Sequence, residues 1–199
     1  INLASIHLWK GNIDKAFDVI NDAIKLLKSD NLKLYKARLE LLDRKYEFSL
    51  KSLESIALKI DIAQTNYTPI ETKFGVNHLL MGNSELANEY FMQSMVILEN
   101  AIEKSPNDAR IHADYALVLG YLGKKDEAIK AAKTATSLIP IEKDAIIGVQ
   151  HFLTYTKVLS IVGEHSQAME NLEYLRSIPN GPSLELIKRN PVWDPLRDY

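Results

Sequence analysis

Apolar and polar positions along this chain follow a helical period. In residues 109–140, Ile111, Tyr115, Val118, Leu119 and Leu122 recur at spacings that keep them on one helical face. Gly123 ends that helix, because glycine tolerates the positive φ of a helix C-terminus. Asp126 and Glu127 open the next helix, where acids suit the positive end of the helix dipole. Ala128, Ala132 and Ala135 then form a stripe of small residues, and Pro140 marks the end. Two antiparallel helices joined by so short a turn approach closely only if the facing side chains are small. Ala116 on the first helix and Ala128 on the second are placed for that approach.

The pattern recurs. Gly11, Gly82, Gly123 and Gly163 each precede an alanine by five residues, at Ala16, Ala87, Ala128 and Ala168, and a degenerate copy runs from Arg44 to Ser49. An interval of roughly 33–41 residues marks a solenoid of stacked helix pairs. Neighbouring pairs bury each other's apolar faces and leave a long concave surface rather than one deep catalytic cleft. The expected class is all-α, with units near 1–29, 30–60, 68–106, 109–140 and 149–177 and a tail over 178–199. Asn12 and Asn83, each after a glycine, are expected to act as helix N-caps. The stretch Asp61 to Pro69 reads as a polar turn, with Pro69 at the first position of the next helix. Ser84 to Pro106 runs unbroken, so the second helix of unit three is expected to be long. The segment IPIEKDAIIG adds a loop or an extra turn between units four and five. In the tail, SIPNGPS is a turn and SLELIKRN a short helix. Asp194 is expected to cap a further helix with Pro195 at its first position, and Trp193 to cover the last helix pair.

These residues resemble the tetratricopeptide repeat family, whose pattern combines a small residue, glycine, alanine, an apolar residue, a second small residue and proline. Residues 109–140 match with Ala116, Gly123, Ala128, Ala132, Ala135 and Pro140. Residues 68–101 match with Gly75, Gly82, Ala87, Phe91 and Ser94, and the first unit with Ala4, Gly11, Ala16, Ile20 and Ala23. The second unit has Ala37, Arg44, Ser49, Leu53 and Ile56, so its glycine and alanines are lost. The fifth has Thr156, Gly163, Ala168, Leu172 and Leu175. The resemblance implies a right-handed solenoid of about five helix-turn-helix pairs with a short C-terminal capping segment. The ending Trp193-Asp194-Pro195-Leu196-Arg197-Asp198 looks like that of a bacterial subgroup of these repeat proteins. There the array follows an adenylate or guanylate cyclase, a serine/threonine kinase or a DNA-binding regulator domain.

Composition narrows the chemistry. Lys+Arg 24 against Asp+Glu 26 gives a net charge of −2, without the basic excess that phosphate-backbone binding needs. No cysteine is present, which excludes disulfides, thiolate metal sites and a cysteine nucleophile. No apolar run reaches the ~18 residues of a membrane span. The first residue is Ile1 and the opening segment already reads as helix, so a fragment or processed product is expected, with a cytoplasmic location. The five histidines, His7, His78, His112, His151 and His165, form no HExxH pair. His78 and His112 are expected to face inward. Phosphate-cradling and nucleophile-elbow motifs are absent. Paired acids such as Asp126/Glu127 and Asp18/Asp22 read as solvated faces. The expectation is no enzyme, no cofactor and no metal.

The resemblance also implies which first-helix residues face the concave groove. The candidates are Tyr35 and Arg38 from unit two, and Lys73 and Val76 from unit three. Unit four supplies Arg110, Asp114, Leu117 and Tyr121, and unit five Gln150 and Lys157. Aromatics, aliphatics and a few cations suit an extended peptide with acidic groups. The expected function is a non-catalytic scaffold binding a protein or peptide segment there. The alternative is a regulatory or oligomerisation region of a larger bacterial signalling protein, with the partner an upstream domain of the same chain.

Overall fold

The computed structural model describes residues 1–199. The helices fall into five consecutive pairs: α1 (Asn2–Trp9) with α2 (Ile13–Leu26), α3 (Asp30–Leu42) with α4 (Tyr46–Glu54), and α5 (Ile70–Leu80) with α6 (Ser84–Lys104). Two more follow, α7 (Ala109–Tyr121) with α8 (Lys125–Leu138) and α9 (Ile147–Ile161) with α10 (His165–Ser177). Each pair packs on the next, α2 on α3, α4 on α5, α6 on α7 and α8 on α9. The chain is therefore an all-α solenoid. The tail adds α11 (Leu184–Arg189) and a 3-10 helix over Pro191–Leu196.

One turn geometry makes all five pairs. Gly11, Gly82, Gly123 and Gly163 have φ between 74° and 83°. The amide after each glycine donates back across the helix end: Asn12 to the His7 carbonyl, Asn83 to His78, Lys124 to Leu119 and Glu164 to Leu159, each at 2.9 Å. This is the Schellman arrangement, which satisfies a helix's last carbonyls while reversing the chain. In the second pair Arg44 occupies the glycine position at φ 60°, and Lys45 donates to the Glu40 carbonyl at 2.8 Å. The turn survives the loss of glycine at the strain cost of a side chain in the left-handed region.

Small residues let the paired helices meet. Ala4, Ala16, Ala87, Ala116, Ala128, Ala135 and Ala168 are all fully buried. In the third pair, a Cβ built on Gly75 would stand 2.6 Å from the Phe91 ring, so the large residue on α6 occupies the room that glycine leaves on α5. The largest core cluster joins Leu119, Ala128 and Ala132 to Val158, Leu159, Leu172 and Leu175 across units four and five. At the other end, Ile6 of α1 is 44% exposed, while the residues at the same repeat position, Leu39, Asn77, Val118 and Val158, are fully buried. The outer face of the first helix thus presents Leu3, Ile6 and Trp9 to solvent.

Several local expectations change. Asp61 to Pro69 is not a plain turn. It forms a β-hairpin, β1 (Ile60–Ile62) antiparallel to β2 (Tyr67–Pro69), with Asp61 opposite Thr68. Pro69 is the residue before α5 rather than its first, because it still pairs with Ile60 at the end of β2. Asn12 and Asn83 precede their helices but make no capping hydrogen bond. The tight turn holds them near ψ 65° (68° and 64°), away from the extended conformation that aims a capping oxygen. Asp194 opens no new helix. Asn190 caps the 3-10 helix by accepting from the Val192 amide at 3.1 Å, and Pro195 lies inside it. The pairing of Asp194 with a distant arginine, described below, takes the carboxylate away from a capping role.

If close approach of small residues sets the pair geometry, Ala128→Leu overpacks the α7–α8 contact. The expected loss is about 1–3 kcal/mol in urea unfolding, while Asp126→Ala on the exposed side of the same helix changes stability by about 0.5 kcal/mol or less.

Candidate functional site

The first helices of units two to five line a single cavity of about 380 Å³. Arg38 reaches it from α3, Lys73, Val76 and Asn77 from α5, Asp114, Leu117 and Tyr121 from α7, and Gln150, Thr154 and Lys157 from α9. The hairpin contributes Asp61, Asn66 and Thr68, and the tail contributes Asn190 and Val192. Eight of the ten residues singled out from the sequence therefore converge here: Arg38, Lys73, Val76, Asp114, Leu117, Tyr121, Gln150 and Lys157. Tyr35 and Arg110 do not. Tyr35 is buried in the cluster of the first two pairs, its hydroxyl paired with Ser5 Oγ at 2.8 Å. Its ring faces the Arg38 guanidinium, whose carbon lies 5.8 Å from the ring centre. Arg110 turns away to grip Asp108, with 3.0 Å and 2.6 Å hydrogen bonds, and donates to the Ala63 carbonyl at 3.0 Å. It fastens the hairpin loop to the start of α7.

Charge is unevenly matched in the cavity. Lys73 pairs with Asp61 at 3.1 Å. Asp114 is buried and accepts, at Oδ2, from the Tyr67 amide at 2.7 Å and the Thr68 hydroxyl at 2.9 Å. Burial nonetheless pushes its carboxyl above the ordinary value, against these hydrogen bonds and the pull of Lys73 and Lys157. Lys157 makes no ion pair or hydrogen bond, and neither does the Arg38 guanidinium beyond its contact with Tyr35. Burial, with Arg38 nearby, pushes Lys157 down to about 8. A lysine lowered in this way opposes folding while charged. That cost is full below about pH 8 and disappears as pH rises toward its ordinary 10.5. Burial also pushes the Tyr121 hydroxyl up to about 12, so it stays a neutral donor, its ring stacked on Phe91 at 4.8 Å.

The tail walls one side of the site. Leu186 on α11 packs on the first cluster, and Arg189 donates to the Gly11 carbonyl at 3.1 Å. Trp193 and Leu196 are buried in the last cluster, and Ser160 donates to the Val192 carbonyl at 2.8 Å. Asp194 receives two 2.7 Å hydrogen bonds from Arg44 and one of 2.8 Å from Arg197. The segment that covers the last helix pair thus also reaches back to the first two, strapping the ends of the array together. Arg44 is the residue that replaced a turn glycine. Its left-handed backbone is a local cost retained where the side chain clamps the tail.

Among the histidines, His78 is half-buried and stacks on Tyr90 at 5.5 Å, and His112 meets the Pro106 carbonyl at 2.7 Å. His151 is buried without a partner on either nitrogen, and burial lowers its pKa. No group of three His, Asp or Glu side chains is placed to hold a metal ion. No helix is long and apolar enough to cross a membrane.

Residues 109–142 match the tetratricopeptide repeat family. That span is the fourth helix pair, α7 and α8, with the turn at Gly123. One of the five helix pairs of the all-α array is thus matched by that family. Among solved structures the chain is similar to the TPR2AB-domain:pHSP90-complex of yeast Sti1, at 17% identity over 97% of this chain and 95% of that chain, with a TM-score of 0.39. No curated protein matches the sequence.

The strap predicts a specific loss. In Arg44→Ala, amide exchange across residues 190–197 speeds up about two- to fivefold, as expected for a partly exposed ion pair. Arg44 holds the Asp194 carboxyl below its ordinary 3.8, so the pair's contribution is present above that pH. It is lost as pH falls through the lowered value, and tail protection drops only in that acid range.

Proposed function

We infer that this chain is a non-catalytic scaffold that binds a protein segment on the face formed by its first helices, and that the segment is acidic. The observation that carries this reading is the convergence of Arg38, Lys73 and Lys157 with Val76, Leu117 and Tyr121 on one cavity, with two of the three cations unpaired. Apolar walls give contact area and a neutral tyrosine donor gives direction. The free cations favour carboxylates or phosphates in the segment. Repeat arrays offer such surfaces because stacking leaves an extended concave face free.

A finer reading places the array as a regulatory region of a larger signalling protein. Support for it comes from the outer face of α1, where Leu3, Ile6 and Trp9 stand exposed at positions that neighbouring units cover elsewhere. A partner domain seated there would continue the stack.

Peptide selection against the whole chain tests the scaffold reading. Selected peptides are expected to be enriched in Asp and Glu and to weaken with salt. Arg38→Ala combined with Lys157→Met is expected to reduce their affinity about tenfold or more, one such step being about 1.4 kcal/mol. Equal binding of acidic and basic peptides, or indifference to the double substitution, contradicts it.

A further inference from the structure

We propose that the cavity lined by α3, α5, α7, α9 and the tail is a binding site for a small free organic anion that also carries a hydroxyl or ammonium donor. It concerns the same cavity as the scaffold reading but needs no protein partner.

The cavity is half-open, and the tail walls one side of it. The tail residues Asn190 and Val192 complete a wall that the repeats alone leave open. Trp193 and Leu196 hold that wall in the core of the last unit, and Arg44 clamps it to the second. A chain running the length of the groove must displace this strap, whereas a small molecule enters without doing so. The volume of about 380 Å³ falls within the range of small-ligand sites, about 300–1,000 Å³.

The polar groups specify the ligand. Arg38 and Lys157 have no acidic partner, so an anionic group placed between them meets two free cations. Asn77 supplies the second, independent requirement. It is fully buried and lines the cavity, and its Oδ1 has no hydrogen-bond partner. Its Nδ2 donates to the Lys73 carbonyl at 2.8 Å, which fixes the amide so that the oxygen is the free end. A buried acceptor left unpaired is costly, and only a donor relieves it. Asp114 takes both of its hydrogen bonds at Oδ2, leaving Oδ1 for the same purpose. Val76 and Leu117 give the apolar surface between the two polar ends. A hydroxy- or amino-acid anion of about four carbons presents a carboxylate to the two cations and a donor to Asn77 and Asp114 within a volume of this size.

Calorimetric titration of the whole chain at neutral pH decides it, with malate, aspartate, succinate and inorganic phosphate as probes. Malate or aspartate is expected to bind about tenfold or more tighter than succinate, because a site built to pair a donor rejects the analogue lacking it. Lys157→Met is expected to abolish the binding while leaving the chain as stable or more so in thermal unfolding, which separates lost recognition from lost fold. Asn77→Leu serves as the second variant and is expected to erase the preference over succinate. No heat from any probe at about 10 mM, equal binding of succinate and malate, binding of phosphate alone, or malate binding that survives Lys157→Met overturns the proposal. Acidic peptides that bind where malate does not overturn it and leave the scaffold reading standing. Malate binding without any peptide binding does the reverse.

Discussion

Close approach of paired helices is the constraint on which the structure rests. It requires alanine or glycine at the crossing and a chain reversal within two residues of the helix end. Ala16, Ala87, Ala128 and Ala168 meet the first condition by complete burial. The positive-φ residues Gly11, Gly82, Gly123 and Gly163 meet the second, by turning the chain while still pairing the last carbonyls. With the pair geometry fixed, first helices align on one face, and every residue displayed there is positioned by packing elsewhere. The cavity is in this sense a by-product of stacking. Its walls come from four units, and none of them could form it alone.

What fills that face departs from what stability alone would choose. A half-buried lysine with no partner, a buried aspartate raised by its surroundings and an asparagine oxygen with nothing to accept from line one cavity. Each opposes folding, and a left-handed arginine holds the strap that runs beside them. Concentrated local costs of this kind are characteristic of sites that act on something. The alanine crossings and the four glycine turns carry no comparable cost, while the partnerless buried His151 and the left-handed Asn180 are separate local costs outside the cavity.

The repeat was legible in the sequence because it is local. Glycine, alanine and proline at fixed spacing report the turn and the crossing directly, and the helix periods follow. The groove-facing positions of α5, α7 and α9 came from the family resemblance, which points to Val76, Leu117 and Lys157 once the pairs are located. Tyr35 and Arg110 show where that transfer stops being sufficient. Tyr35 sinks into the first cluster because Ser5 offers its hydroxyl a partner. Arg110 is captured by Asp108 two residues away, a pairing that side-chain reach decides and periodicity does not record. The hairpin was read as a turn because three-residue strands carry almost no pattern, although Ile60 and Ile62 flanking Asp61 alternate as a strand would. The strap was invisible because its contacts join Gly11 and Arg44 to residues 150 or more positions away. One trace of it was present in the loss of glycine at Arg44, which read as decay of the repeat and is instead the clamp.

The central claim is that stacked pairs and a tail anchored at both ends line one cavity. The chain has no cysteine, so a pair introduced at the exposed Lys10 and Lys188 carries two spin labels without interference. Pulsed electron–electron distance measurement on the doubly labelled chain reports whether α11 rests beside α1. A single narrow distance, unchanged on dilution, is the predicted result. A broad distribution extending to long separations would mean an open array with a free tail, and would contradict the account.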